Sequence, residues 1–129
     1  MPPWVHRIDG AGDVHYTRHM FKTITSQDAA KLIESGEVVV VDVREHNEWV
    51  TGHIPSAQHI ALSRLRQAPK AYLQRDKIIF VCAAGSRSKL AAQLADAHGL
   101  KEVYNLSGGT QGWKKDGLET VIPSQQAAG

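Results

Sequence analysis

Cysteine is almost absent from this chain, with one residue, Cys82, in a sequence of 129. A single cysteine excludes an intramolecular disulfide, so the composition gives no sign of an oxidising compartment. A reactive thiolate also survives best where it can be reduced. We therefore expect a cytoplasmic protein.

An excess of one charge and long hydrophobic runs are also lacking. Fifteen Lys and Arg residues against thirteen Asp and Glu leave a formal charge of +2, and no basic run is interleaved with aromatic residues. Nucleic acid is therefore not an expected partner. The apolar runs are no longer than a strand, and the first residues lack the charged-then-apolar layout of a signal peptide, so no membrane partner is expected either.

The length and composition fit a single globular domain, since 42% of the residues are hydrophobic and 22% are charged. Residues 1–20 show no convincing periodicity, and the dipeptide His19-Met20 resembles a cloning junction. We interpret this segment as an amino-terminal extension, either native or left by cloning. The small, polar tail 123–129 is expected to be disordered.

Between these ends the pattern alternates strands and helices. The run 38–43 is mostly β-branched and unalternating, which is typical of a parallel strand covered on both faces. Pro69 should interrupt the helical stretch 63–75 or begin a new turn in it. Such alternation predicts an α/β fold, a parallel sheet with helices on both faces. The expected helices are 26–35, 46–51, 63–75, one that follows the cysteine loop and ends at Gly99, and 109–116, and the expected strands are 38–43, 58–60, 78–82 and 103–106.

Cys82 stands where a reactive sulfur is expected. Residues 78–82 are typical of a buried strand, and they run directly into the small-residue loop 83–88, which opens a helix. A thiol at such a junction faces amide N–H groups and the positive end of the helix dipole, which favour the thiolate. An inert buried cysteine is the commoner case for a lone cysteine, but this loop favours a nucleophile.

The loop after Cys82 has the residues of an anion cradle. Its first four positions have little side chain, so the backbone can curl around the sulfur and direct several N–H groups at one point. Arg87 closes the loop with a positive charge that can hold an oxyanion by bidentate hydrogen bonds. Ser88, in the first helical turn, is interpreted as a capping group. The candidate substrate-binding residues are Ala83, Ala84, Gly85, Ser86, Arg87 and Ser88.

At these residues the sequence resembles the rhodanese-like family of sulfurtransferases. The loop 82–88 is similar to the family's active-site pattern, a cysteine, two variable residues, glycine, one variable residue, arginine, then serine or threonine. Upstream, 41–45 and 48–57 resemble the family's first signature, Asp-Val-Arg followed by Gly-His-Ile-Pro-Gly-Ala. Downstream, 106–113 with the Gly-Leu pair at 117–118 is similar to its carboxy-terminal signature.

The three motifs occur in the family's order and cover about residues 22–122. The resemblance implies one rhodanese-like domain over 21–122. It further implies a three-layer α/β architecture, with a central parallel sheet of about five strands and helices on both faces.

The chain departs from the family's pattern at several positions. Ser56 stands where glycine is usual, His59 where asparagine is frequent and Ala61 where proline is frequent. Ala83 is neutral where some relatives carry a basic residue, which leaves Arg87 as the one charge within the loop. Because the first three touch only a turn and a short strand, they leave the implied chemistry intact. His59 could also face the pocket, and its role stays open.

Two charged residues, Asp42 and Arg44, lie at or just past the end of the predicted strand 38–43, at the edge of the sheet where ligands collect in open α/β folds. Asp42 is interpreted as an orienting partner for Arg87 or for loop amides, because a carboxylate beside a thiolate would disfavour it. Arg44 either adds positive potential to the pocket or forms a structural salt bridge with Glu45 or Glu48.

Other residues of the motifs receive structural interpretations. Gly108 and Gly109 should permit close backbone approach to the cysteine loop. Trp49 and Trp113 are interpreted as core anchors rather than substrate platforms. His53 should tie a turn together, because the chemistry needs no general base once the cysteine is ionised.

The mechanism that the resemblance implies is sulfur transfer. The Cys82 thiolate attacks the outer sulfur of thiosulfate or a similar small-molecule donor, becomes a persulfide, and gives its terminal sulfur to cyanide or a thiol acceptor. Arg87 is assigned to donor binding and loop closure. No cofactor is required. His15 and His19 have helical metal spacing but no second pair of ligands, so no metal is predicted.

Two functions of other classes stay open. A cysteine-dependent phosphatase or arsenate reductase would use a similar loop, although the related cell-cycle phosphatases have a loop one residue longer, sized for a tetrahedral oxyanion. A rhodanese-like protein-binding module would bind or regulate a protein, although such modules commonly lack the cysteine that this chain has at position 82.

Overall fold

The computed structural model describes residues 4–8, 14–18 and 21–124. Strands β1 (Trp4–Ile8) and β2 (Val14–Arg18) pair antiparallel, a hairpin that the sequence pattern did not predict. The expectation of disorder at the carboxyl end falls, from residue 125 on, outside the described residues.

From residue 26 onward, strands and helices alternate as predicted, and a short strand at 22–24 precedes them. Pro69 begins a new helix, and the expected helix 26–35 has the predicted bounds, whereas the expected helix 46–51 ends two residues early. The strands are β3 (Lys22–Ile24), β4 (Val39–Asp42), β5 (Gln58–His59), β6 (Ile78–Val81) and β7 (Val103–Leu106), and the helices are α1 (Ser26–Ser35), α2 (His46–Trp49), α3 (Leu62–Gln67), α4 (Pro69–Tyr72), α5 (Ser86–Ala97) and α6 (Gly109–Lys115).

Strands β3 to β7 form one sheet in the order β3-β7-β6-β4-β5, and every neighbouring pair is parallel. The sheet confirms the expected five-stranded parallel architecture. Strand β6 lies at its centre, and all four of its residues are buried. The carboxyl end of β6, where Cys82 follows, therefore opens at the middle of the edge where ligands collect.

The two faces of the sheet carry separate hydrophobic cores. Ile78 and Phe80 of β6 pack on one face together with buried alanines of α5, and Ile79 and Val81 pack on the other face together with Trp113 of α6. This alternation follows from the two-residue period of a strand. Helices thus cover both faces, and the arrangement is the three-layer one that was expected.

Local chemistry explains where helix α1 begins and ends. The Thr25 hydroxyl oxygen accepts a hydrogen bond from the Asp28 amide at 3.1 Å, which caps the amino terminus. Gly36 ends the helix in the left-handed conformation with φ 78°. No helix in the described part of the chain has the length and apolar character needed to cross a bilayer.

Candidate active site

Cys82 lies at the point where strand β6 gives way to helix α5. It is completely buried, and its sulfur accepts a hydrogen bond from the Gly85 amide at 3.1 Å. The Ser88 hydroxyl oxygen lies 3.3 Å from the same sulfur. The loop therefore curls back so that its own amides face the sulfur, as the small side chains at positions 83–86 predict.

The surroundings of Cys82 favour its thiolate. Burial is the largest single influence and opposes ionisation, but the hydrogen bonds that a thiolate would accept from the Ser88 hydroxyl and from the amides of Ser88, Gly85 and Ala84 together outweigh it. The pKa of the Cys82 thiol consequently lies below its ordinary value. A lowered thiol pKa increases the fraction of the nucleophilic thiolate at a given pH.

The amino terminus of helix α6 fixes the orientation of the loop. The Thr110 amide and hydroxyl both donate to the Cys82 carbonyl oxygen, at 2.8 and 3.1 Å, and the Gln111 amide donates to the Ala83 carbonyl oxygen at 3.0 Å. These bonds hold the two carbonyls away from the sulfur. The amides that follow them are then left to face the sulfur.

Gly109 is the place where α6 approaches the loop most closely. A Cβ at this position would lie 2.6 Å from both the carbonyl carbon and the carbonyl oxygen of Ala83, a distance that packed atoms do not tolerate. The residue also has φ 58°, in the left-handed region that favours glycine. Gly108 stands against the other side of the loop, since its amide nitrogen lies 3.5 Å from where a Cβ of Gly85 would be.

Ser88 is not the capping group that its position in the first helical turn suggested. The hydroxyl is completely buried, lies against the Cys82 sulfur, and donates to the Asn105 side-chain oxygen at 2.5 Å. Helix α5 is instead preceded by Gly85, which offers no side-chain cap. Asn105, on β7 opposite Phe80 of β6, is a site residue that the sequence pattern did not reveal.

Arg87 forms a bidentate ion pair with Glu48 of α2. Its two terminal nitrogens donate to the two carboxylate oxygens at 2.6 and 2.9 Å. The hydrogen bond to Arg87 is the main reason why the pKa of Glu48 falls to about 2, against an opposing effect of burial. The same bond raises the pKa of Arg87, to which the negative charges of Cys82 and Asp42 also contribute. Glu48 was one of two candidate partners for a salt bridge of Arg44, and the structure pairs it with Arg87 instead.

Asp42 and Arg44 form a buried pair with each other. The Asp42 carboxylate accepts from the Arg44 amide at 3.0 Å and from the guanidinium at 2.8 to 3.1 Å. The guanidinium also donates to the Gly52 carbonyl oxygen at 2.8 Å. The interpretation of Asp42 as an orienting partner for Arg87 or the loop amides was therefore wrong, because Arg44 takes up its carboxylate. Arg44 does form a structural salt bridge, but with a different partner from those predicted.

Two histidines stack on Trp49 and join the segments around Arg44. The His53 ring lies parallel to the Trp49 ring with centroids 3.4 Å apart, and the His59 ring lies 5.0 Å away. His59 donates through Nε2 to the Arg44 carbonyl oxygen at 2.6 Å, and His53 donates through Nδ1 to the Trp49 carbonyl oxygen at 3.2 Å. His53 thus ties a turn, as predicted, and His59 makes a structural contact with the segment that follows β4. Both Trp49 and Trp113 are buried, as expected of core anchors.

Within the described ranges, no three or more His, Cys, Asp or Glu side chains group closely enough to hold a metal ion. The histidine at position 19 lies outside those ranges.

Comparison with known proteins places these residues in a family. Residues 25–116 match the family model of the rhodanese-like domain. The thiosulfate sulfurtransferase GlpE of Coxiella burnetii is 30% identical over 95 residues, which are 74% of this chain and 89% of GlpE. The human single-domain sulfurtransferase TSTD1 has a similar structure, with a TM-score of 0.65, 29% identity, and coverage of 72% of this chain and 95% of TSTD1.

A third similar protein has a different description. The structure of a Rhodopseudomonas palustris protein of unknown function, described as a possible tyrosine phosphatase, has a TM-score of 0.70 and 37% identity, over 78% of this chain and 85% of that one. The family match nevertheless spans the first motif, the cysteine loop and residues 106–113 of the third motif. This chain belongs to the rhodanese-like domain family.

Proposed function

We propose that this chain is a rhodanese-type sulfurtransferase in which Cys82 carries sulfur from thiosulfate or a similar donor to cyanide or a thiol. The observation that carries the proposal is the buried Cys82 sulfur, which accepts the Gly85 amide at 3.1 Å and has a lowered pKa. The match to GlpE, which is named a thiosulfate sulfurtransferase, supports the same reaction. The acting unit is residues 21–122, working in the cytoplasm, where reduced thiols are present as acceptors.

Two displacements at sulfur make up the reaction. The Cys82 thiolate attacks the outer sulfur of thiosulfate, a new S–S bond forms, and sulfite leaves with the electrons of the broken bond. The acceptor nucleophile then attacks the terminal sulfur of the Cys82 persulfide, and Cys82 leaves as a thiolate. No net oxidation of the protein occurs over the cycle, so neither step needs an added oxidant or cofactor.

The loop serves as the binding site for the sulfur. The amides after Ala83 stabilise negative charge on the terminal sulfur of the persulfide, and the hydrogen bonds from α6 hold these amides in place. Gly108 and Gly109 support this arrangement by permitting the close approach of α6. Asp42 and Arg44 support it from the neighbouring strand end as a buried structural pair.

Arg87 binds the anionic end of the donor. Its guanidinium is about one third exposed, so a solute can reach it, and the negative charge of Cys82 acts on it. Both terminal nitrogens are engaged by Glu48 at rest. Donor binding therefore requires Arg87 to share or exchange its carboxylate partner for the sulfonate end of thiosulfate.

A phosphatase remains the second candidate, because a similar structure is described as a possible tyrosine phosphatase. The loop geometry favours sulfur. Only six residues run from Cys82 through Arg87, and the amides of Ala84, Gly85 and Ser88 already act on the one sulfur atom. A phosphate needs a wider ring of donors that places three oxygens at roughly 2.7–3.0 Å from N–H groups.

The test compares two assays on the same protein. We expect thiosulfate-dependent formation of thiocyanate and little hydrolysis of an aryl phosphate. Insertion of one glycine between Ala84 and Gly85 should sharply reduce sulfur transfer, because the widened loop no longer directs its amides at the sulfur. An insertion of one glycine after Gly36, where the chain leaves α1, is the matched control. An unmodified protein that prefers the phosphate ester would establish the phosphatase function instead.

A further inference from the structure

The Ser88 hydroxyl lies between two buried groups that compete for its single proton. Its oxygen is 3.3 Å from the Cys82 sulfur and 2.5 Å from the Asn105 side-chain oxygen. Cys82 and Ser88 are completely buried and Asn105 is 4% exposed. A hydroxyl has one proton to donate, so it can satisfy only one of two acceptors at a time.

The direction of the Ser88 hydrogen bond to Asn105, taken alone, suits an uncharged sulfur, although the Gly85 amide favours the thiolate. Ser88 donates to Asn105, and its lone pairs then face the sulfur, where they can accept the proton of a thiol. A thiolate, by contrast, can only accept. Ser88 must then turn its proton to the sulfur, and the Asn105 oxygen would be left against an oxygen with no proton between them, an unfavourable contact in a buried site.

The asparagine side chain can relieve that conflict, because its amide can either accept or donate a hydrogen bond. Its side chain ends in an acceptor and a donor of nearly the same shape. After half a turn of the amide, the NH2 group donates to the Ser88 oxygen, and the Ser88 proton points to the sulfur. The asparagine side chain thus serves both protonation states of Cys82, whereas an aspartate can only accept.

We propose that Asn105 is a positioning residue that directs the proton of the Ser88 hydroxyl to the Cys82 sulfur whenever that sulfur bears negative charge. This inference rests on the proposed function, in which Cys82 is a thiolate at the start of the cycle and again when the acceptor removes the outer sulfur. Asn105 acts only through Ser88 and touches neither donor nor acceptor.

The other charges near the sulfur do not duplicate this role. Arg87 on α5 is the cation whose field couples to Cys82, and it is held by Glu48 of α2. Asp42, at the end of the neighbouring strand β4, is paired with Arg44. A change at Asn105 leaves all of these groups in place, so it isolates the contribution of the Ser88 proton.

The pH dependence of Cys82 alkylation tests the proposal directly, because the chain has one cysteine and the reaction needs no sulfur donor. Asn105→Asp should raise the midpoint of the iodoacetamide rate by about one pH unit or more, since a carboxylate keeps the Ser88 proton and adds negative charge. Asn105→Ala should raise it by roughly half a unit, because Ser88 loses the group that orients it. Asn47→Asp, the same change on an exposed part of α2, should leave the midpoint unchanged.

A second background shows whether Asn105 acts through Ser88. In Ser88→Ala protein, the further change Asn105→Ala should no longer move the midpoint. If Asn105→Asp does not fold, Asn105→Ala and this double variant still decide the matter. A wild-type midpoint in folded Asn105→Ala, or a shift that persists without Ser88, would overturn the proposal. Absence of sulfur transfer in the wild-type protein would instead refute the proposed function. The alkylation experiment would still test the role of Asn105, because it does not depend on sulfur transfer.

Discussion

Two arginine–carboxylate pairs lie beside the candidate site, and they differ in depth and in reach along the chain. Arg44 pairs with Asp42, two residues away, and the two side chains are 5% and 1% exposed. Arg87 pairs with Glu48, 39 residues away, and those side chains are 34% and 31% exposed. The first pair sits at one strand end, and the second joins helix α5 to helix α2.

This difference separates the structural role of Arg44 from the donor-binding role proposed for Arg87. A buried pair cannot give up one partner without leaving an uncompensated charge out of water, so Arg44 is fixed to Asp42. A pair at the surface contributes only about 0–1 kcal/mol, because water solvates each charge when the two part. Under the proposed function, Arg87 can therefore exchange Glu48 for the donor anion at little cost in free energy, and Arg44 cannot.

The largest effect is expected from substitution of Arg44, and it is an effect on stability. Arg44→Met leaves the Asp42 carboxylate buried without its partner, which should lower the free energy of unfolding by about 3–5 kcal/mol. Denaturant unfolding followed by circular dichroism measures this loss. Arg66→Met, on an exposed part of α3, is the matched control and should change stability by less than about 0.5 kcal/mol. If the two variants are equally stable, the buried Asp42 carboxylate does not depend on Arg44, and the structural role of this pair is wrong.

The opposite pattern is expected at Arg87. Arg87→Ala should lower kcat/KM for thiosulfate roughly 10- to 150-fold, because loss of a charged hydrogen bond to the donor is worth about 1.5–3 kcal/mol. The unfolding free energy should fall by less than about 1 kcal/mol. Steady-state thiocyanate formation and denaturant unfolding, measured on the same preparation, give both numbers.

Arg87→Lys refines this experiment, because it keeps the charge and removes the planar pair of donors. Its kcat/KM should lie between those of the wild type and Arg87→Ala. If Arg87→Ala keeps full activity, the backbone amides alone bind the donor, and the two arginines do not differ in the way described.

The smallest effect is expected at Glu48, and it depends on pH. Its pKa is lowered from 4.5 to about 2, chiefly by the hydrogen bond from Arg87, so the pair stabilises the fold fully above pH 4.5 and loses that contribution as the pH falls through 2. Glu48→Gln should therefore cost less than about 1 kcal/mol at pH 7, with the difference from wild type shrinking below pH 4.5. Unfolding free energies over this pH range measure it. A difference that is constant down to pH 2 would mean that Glu48 is not ionised in the pair.

The sequence pattern predicts most of the fold, because strand and helix periodicities and the helix-ending residues Gly36 and Pro69 are local signals. Strand β3 escaped prediction since three residues are too few to show a period. The β1–β2 hairpin carries the dipeptide Asp9-Gly10 between its strands, a turn signal that could have revealed it.

Some contacts of the site can likewise be predicted from neighbouring residues, whereas others join residues that are far apart in the sequence. The Cys82 loop is contiguous, so its curl toward the sulfur follows from the small residues themselves. Glu48 with Arg87, and Ser88 with Asn105, are 39 and 17 residues apart, and their contacts arise only when the sheet brings α2, α5 and β7 together.

The pairing of Asp42 with Arg44 could have been predicted from their spacing in the sequence. Residues two apart in an extended segment lie on the same side of the backbone, so each was the other's nearest candidate. The structure pairs Arg44 with Asp42 and not with Glu45, which precedes α2, or with Glu48 within it. The buried strand end, which excludes water, is what gives the short-range pair its preference.

Intact mass measurement tests the central claim most directly, that Cys82 takes up a sulfur atom from the donor. After incubation with thiosulfate and removal of excess reagent, we expect the protein mass to increase by one sulfur atom and to return to its original value on addition of cyanide. Cys82→Ser should show neither change, although it retains the loop and Arg87. An increase that survives in Cys82→Ser, or no increase in a folded wild-type protein, would contradict the account.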